Sequence, residues 1–356
     1  MPITITDILS AVAGCLDATT QAILAMSFGF AMLPSAIAYA IGIGGCVAFN
    51  SVVPISFQAE TITMAGALGR NVRERVSIIF LGGVAMVFIG AFGLLENITS
   101  LAGDDVICAM MAGVGVFLAK VALDLVKENV KTGTVSMVTA ILVYAVTMDL
   151  VYTIVCGVVV TSIAARFIDG EIEVGEVNRE GFKLQKPTLN FAVVRGALSV
   201  ICLTIGGNIA YGGITADIAG ATANADHISI YSGLADAASS IFGGAPVSVI
   251  ISATAATPNP KTSAVLLMGI MMVLLLTGLL PKIARYVPVQ AIAGTLFVLG
   301  VFVTMPENAS LAFAGNDALG SLACGTTLAV TATTDPFFGI VAGILVKLLA
   351  GPLGMV

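Results

Sequence analysis

Apolar residues run through this chain in long blocks. They neither alternate, as in a half-buried strand, nor recur on one face, as in an amphipathic helix. Polar residues are gathered into the breaks between blocks: Gly69-Arg-Asn-Val-Arg-Glu-Arg75, Leu101-Ala-Gly-Asp-Asp105, Lys127-Glu-Asn-Val-Lys131, Thr257-Pro-Asn-Pro-Lys-Thr262, and the longest, Arg166 to Lys186. The breaks read as loops, because Gly, Pro, Asn and charges end regular structure. A crossing helix needs about 20 apolar residues, fewer where it is broken, so the blocks predict roughly 10 to 14 bilayer crossings with almost no extramembrane domain.

Composition agrees. Of 356 residues, 58% are hydrophobic and 10% charged, and mean hydropathy is +1.05, so the expected solvent is lipid. A net charge of −6 without a basic cluster argues against nucleic acid as a partner. The six cysteines are scattered without Cys-x-x-Cys spacing and read as small packing residues. The start, Met1-Pro-Ile-Thr-Ile-Thr-Asp7, has no basic region or cleavage pattern, so the first helix is expected to target the chain. His227 stands alone and predicts no metal site. No P-loop and no Gly-x-Ser-x-Gly occurs, and no nucleophile–base pair is evident, so an enzyme is not expected.

The two halves resemble each other. Pro54-Ile-Ser56, with Glu60 six residues past the proline, matches Pro246-Val-Ser248, with Ser252 six past it. Gly115-Val-Phe-Leu118 matches Gly300-Val-Phe-Val303, Asp149 with Ile154-Val-x-Gly157 matches Asp335 with Ile340-Val-x-Gly343, and Gln21 matches Asn208. The matches are collinear, at separations of 185 to 192 residues. They predict a first repeat over 1–167, a mid-chain loop over 168–188 and a second repeat over 189–356. With an odd number of crossings each, the repeats are inverted, the plan of secondary transporters whose site lies where discontinuous helices meet.

The candidate chemistry lies beside the two prolines. Gln58, Glu60, Thr61 and Thr63 follow Pro54 inside apolar sequence. A carboxylate at membrane depth costs at least about 2.5 kcal/mol and points to function; the other reading is that Glu60 lies near an interface and pairs with a basic residue of the loop at Arg70. The second segment, Gly243 to Thr254, carries no charge but offers Ser248, Ser252 and Thr254. It predicts a short extended piece and a half-helix whose N-terminus would present N–H groups. Asp149 and Asp335 read chiefly as helix caps. Asp236, ten residues before Pro246, is either an ion-coupling carboxylate or a structural one holding that segment. Gln21 and Asn208 either read a solute edge or bridge helices.

Four segments carry a family resemblance. Thr20-Gln-Ala-Ile-Leu-Ala-Met26 resembles the glutamine-bearing first helix of the nucleobase/cation symporter-2 family, the xanthine, uracil and ascorbate permeases. Gly233-Leu-Ala-Asp-Ala-Ala-Ser-Ser-Ile-Phe-Gly-Gly244 resembles the approach to that family's second broken helix, especially in its guanine/hypoxanthine (azaguanine-resistance) branch. Tyr286-Val-Pro-Val-Gln-Ala-Ile-Ala-Gly294 is similar to the proline-led helix that follows, and Asp335 to Leu349 to the closing helix. The resemblance implies an all-α membrane protein of about 14 segments in two inverted repeats of seven, with segments 3 and 10 broken by short strands. It also implies a core domain that carries substrate and a gate domain that often dimerises. Two family carboxylates, in segments 8 and 10, are replaced here by Asn208 and Ser252, and the chain is short for the family.

The expectation is therefore a multi-pass protein of a cell membrane, of the bacterial inner-membrane kind, in contact with the bilayer and able to form a homodimer. It would be an ion-coupled symporter of a nucleobase-like small polar solute, working by an elevator displacement of core against gate. Gln21, Gln58, Glu60, Asn208, Ser248 and Ser252 would bind substrate, and Glu60 and Asp236 would couple it to H+ or Na+, with no other cofactor. The alternatives are a small-anion transporter on the same fold and a non-transporting scaffold or sensor.

Overall fold

A computed structural model describes residues 3–168, 170, 181–284 and 286–350. Most of the charged mid-chain loop, including Glu171, Glu173, Glu176 and Arg179, lies outside the described residues. Fourteen membrane segments follow in two matching successions. In the first are α1 (Ile5–Ser27), α2 (Met32–Ala48), the broken segment β1 (Ile55–Phe57) with α3 (Ala59–Leu68), α4 (Val72–Ala91), a short linking helix α5 (Leu95–Ala102), α6 (Asp104–Glu128), α7 (Val130–Thr147) and α8 (Leu150–Ile168). The second has α9 (Phe191–Ile218), α10 (Ala225–Ser240), β2 (Val247–Val249) with a 3-10 turn (Ala253–Ala256), α11 (Pro260–Leu276) and a short α12 (Leu279–Ala284). A composite twelfth segment runs from Val289 to Phe313, then come α15 (Ala318–Thr333) and α16 (Pro336–Ala350).

The composite segment is built from a 3-10 turn, α13 (Ala293–Val298), a π-helical stretch (Leu299–Thr304) and α14 (Met305–Phe313). Pro306 accounts for the widening. It has no N–H for the carbonyl four residues back and its ring would collide with it, so the helix loosens just upstream. Helix starts are set locally. Thr4 and Asp7 form a reciprocal capping box on α1. Asn71, Asn129, Asn190 and Asn224 each accept a backbone N–H at the starts of α4, α7, α9 and α10.

β1 and β2 pair antiparallel with Ser56 opposite Ser248. Inside lipid an extended piece has no water to satisfy its backbone, so the two broken segments complete each other. The matched Gly115 and Gly300 also meet, each without a side chain because the other's backbone occupies that space. Residues paired by sequence similarity thus touch across the pseudo-twofold relation of the halves. The second broken segment departs from expectation: after β2 comes a four-residue 3-10 turn rather than a half-helix. Pro258 and Pro260 leave too few residues with usable N–H groups, and the hydroxyls of Ser252, Thr254 and Thr257 bond locally instead.

Two bodies emerge from the packing. α1 to α4 pack mainly against α9, α10 and α11 around the paired strands and form the core. α6 to α8 pack mainly against α13 to α16 and form the gate. Small residues allow the close approaches, as expected where lipid removes the hydrophobic drive between helices. At the α4–α10 contact, a Cβ on Gly83 would lie 2.6 Å from the Gly233 carbonyl and 2.8 Å from the Ala237 nitrogen. Outward positions carry Phe88, Leu142, Val146, Val159, Phe191 and Leu348, which suit contact with acyl chains.

An ion pair with a buried carboxylate and a partly exposed guanidinium crosses the seam. Asp335, fully buried at the start of α16, accepts from Arg195 Nε on α9 at 2.6 Å, from Ser199 Oγ at 2.7 Å and from the Phe338 N–H at 3.1 Å. It is the helix cap expected, and also a tie between gate and core. Two outcomes follow for thermal unfolding in detergent. Gly83→Ala is expected to cost about 1–3 kcal/mol by overpacking, whereas Gly44→Ala, where a Cβ meets nothing within 4 Å, is expected to leave the midpoint unchanged or higher. Arg195→Ala is expected to lower the midpoint, and Asp335→Asn added to it should recover part of the loss, a coupling of roughly 1–3 kcal/mol.

Candidate functional site

The break in segment 3 leaves the chain extended as far as Gln58, and α3 starts at Ala59, so Glu60 falls in the first helical turn. Its carboxylate folds back toward its own backbone N–H. That position is favourable for a negative charge, because the free N–H groups and the dipole of α3 point there. Glu60 is 4% exposed and does not pair with Arg70. Tyr211, from α9, lines the same cavity as Glu60 and Thr304.

Glu60 borders a cavity of about 150 Å³ at the seam between core and gate. From the core, α1 contributes Asp17 and Gln21, the broken segment contributes Gln58, Ala59 and Glu60, α9 contributes Tyr211, and the stretch after β2 contributes Ile250 and Ile251. From the gate, α8 supplies Leu150 and Ile154. The composite segment supplies Thr295, Leu299, Val303, Thr304 and Glu307. The π-helical stretch thus faces the cavity, and the turn that Pro306 loosens brings Thr304 and Glu307 to the same wall.

Hydrogen bonds orient the polar lining. Gln21 Nε2 donates to Asp17 Oδ2 at 3.0 Å, one helical turn away. Gln58 Oε1 accepts from Thr61 Oγ1 at 3.0 Å. Gln21 Oε1 and Thr295 Oγ1 are buried without a partner. Among the described residues no group of three His, Cys, Asp or Glu side chains is placed to hold a metal ion.

Of the residues singled out from sequence, Gln21, Gln58 and Glu60 are brought together on this cavity, and Asn208, Ser248, Ser252 and Asp236 are not among its lining residues. Asn208 Nδ2 donates to Ser229 Oγ at 2.9 Å and bridges α9 to α10. Ser248 sits in the strand pair. Ser252 Oγ caps the 3-10 turn by accepting from Thr254 N. Asp236 accepts the Val247 N–H at 2.8 Å and holds β2 in place. Sequence reasoning missed Asp17, Tyr211, Thr295, Thr304 and Glu307. A signal existed for Asp17, four residues before Gln21 on one helical face. Glu307, next to Pro306 in an apolar block, had a comparable one.

No family model matches the chain, and no curated protein matches it. Solved structures do. The transmembrane domain of the cyanobacterial bicarbonate transporter BicA superposes with a TM-score of 0.68 at 14% identity, over 98% of this chain and 97% of that one. The murine Slc26a9 anion transporter, in an inward-facing state, gives 0.69 at 14% identity over 99% of this chain and 70% of that one. At such identity the likeness is one of fold: this chain has the 14-segment inverted-repeat architecture of those membrane domains, and the likeness does not single out the nucleobase branch.

Proposed function

We propose that the chain is a secondary transporter that carries a small polar solute in the cavity between core and gate, by displacement of the core along the gate. The observation that supports this most is the position of Glu60. It is a buried carboxylate at the start of a half-helix, in a cavity whose two walls belong to different bodies. Such a site is where alternating access needs a ligand to sit, since the walls exchange partners when the bodies move. Glu60 acts as substrate anchor, and it is also the position at which a coupling H+ or Na+ would bind. The Arg195–Asp335 pair must part or be replaced if α9 slides past α16, so it holds the present arrangement.

The cavity is open on one side and has room for at least a single planar ring, since a closed space of about 150 Å³ holds benzene. Within the nucleobase reading, Gln21 and Gln58 would supply amide edges. The small-anion reading draws on the fold neighbours, which are described as anion transporters. Against it, Glu60 already occupies the positive end of α3, and the opposite half-helix is reduced to a turn.

Reconstitution into proteoliposomes with labelled uracil, guanidinium and bicarbonate tests the proposal. Flux of one of them above empty liposomes is expected. Glu60→Gln should lower its initial rate at least about tenfold, in line with the roughly 1.5–3 kcal/mol of a charged hydrogen bond. Binding without flux would identify a scaffold or sensor instead, and an unchanged rate in the variant would remove Glu60 from the site.

A further inference from the structure

We propose that the ligand of this cavity is a small organic cation, of the ammonium or guanidinium class; this rests on reading the cavity as the transport site. Three carboxylates, Asp17, Glu60 and Glu307, reach it from three different segments, and among the described residues no Lys, Arg or His lines it. The basic side chains nearest to being candidates are spent elsewhere: Arg195 on Asp335, Lys347 on Asp105, and Arg75 on the Phe28 and Gly66 carbonyls. Glu60 is buried and Asp17 partly buried, while Glu307 is open to solvent; carboxylates sharing such a space are stabilised by taking up a proton or by a cationic ligand.

The neutral groups show the same demand for a donor. A carboxylate facing Gln21 can only accept, so the glutamine must turn its nitrogen to Asp17, and its Oε1 is left buried without a donor. Thr295, 8% exposed on the opposite wall, also has an unpartnered hydroxyl. A ligand rich in N–H groups satisfies both oxygens, whereas an anion could accept from the Thr295 hydroxyl but leaves Gln21 Oε1 without a donor. The carboxylates are not placed to hold one metal ion together, which makes a ligand with donors on several sides the better match. Leu150, Ile154, Ile250 and Val303 give it an apolar wall, which suits a weakly hydrated, delocalised charge better than a bare alkali ion.

Guanidinium, urea and nitrate share one flat three-armed shape and differ in charge, so they separate charge from fit. Titration of each, at low millimolar concentration and equal ionic strength, into the purified full chain is expected to give binding for guanidinium alone. Affinity should fall about tenfold, equivalent to ~1.4 kcal/mol, in Glu60→Gln and in Glu307→Gln, and stay unchanged in Glu96→Gln, which lies on exposed α5. Glu307 is solvent-accessible, so its variant decides the matter should Glu60→Gln fail to fold. Equal or tighter binding of urea or nitrate, no binding by any of the three, or indifference to both cavity variants would overturn the proposal. Labelled guanidinium flux in proteoliposomes separates the two readings. Binding without flux leaves the cation inference standing and removes the transporter, and flux of nitrate alone does the reverse.

Discussion

Two short stretches of backbone cross inside the membrane, and neither can satisfy its own N–H and C=O groups. Each supplies partners for the other: Ile55 to Phe57 pair with Val247 to Val249, and the Tyr39 hydroxyl accepts a hydrogen bond from the Phe57 N–H. The Asp236 carboxylate likewise takes the Val247 N–H. Once this crossing is made, segments 3 and 10 are locked front to front, and the inverted order of the two halves follows. α1 and α9 are brought alongside the break, so that Asp17, Gln21 and Tyr211 arrive at one opening. The cavity is thus a by-product of how the membrane forces extended backbone to be satisfied.

The halves have the same plan but not the same chemistry. In the first, α3 is a full half-helix with a carboxylate in its opening turn. In the second, prolines and hydroxyls leave a single 3-10 turn whose first N–H groups are consumed by Ser252. A symmetric pair of half-helix N-termini would make a positive site. The asymmetry here, with Glu60 at one pole and no helix at the other, makes an acidic one, and Asp17 and Glu307 deepen it. The fold is shared with proteins described as anion transporters, and a shared fold does not fix the polarity of a site, which a few side chains set.

Parts of this were legible along the chain. Pro54 and Pro246 marked the breaks, since proline cannot sit inside a helix without freeing backbone groups. The matched Gly115 and Gly300 marked the repeat, and the structure brings them into contact. Gln21, Gln58 and Glu60 stood out as polar groups in apolar sequence. Asn208, Ser248, Ser252 and Asp236 stood out in the same way; Asn208 Nδ2, Ser252 Oγ and the Asp236 carboxylate bond within the protein, whereas Asn208 Oδ1 and Ser248 Oγ are buried without a partner. Sequence does not show whether a polar residue inside an apolar run meets a helix or a solute.

The sequence by itself determined that the chain lives in lipid, crosses many times, and repeats its plan with two breaks. These are properties of composition and of spacing along one strand of chain, and each can be judged within a short window. Tertiary structure alone decided that Asp17, Glu60, Tyr211, Thr295 and Glu307 share one space. In water, an amphipathic stripe tells which face of a helix turns inward. In lipid the outer face is as apolar as the packed one, so the pattern carries no such pointer, and only the crossing of the helices reveals which carboxylates look at the same cavity.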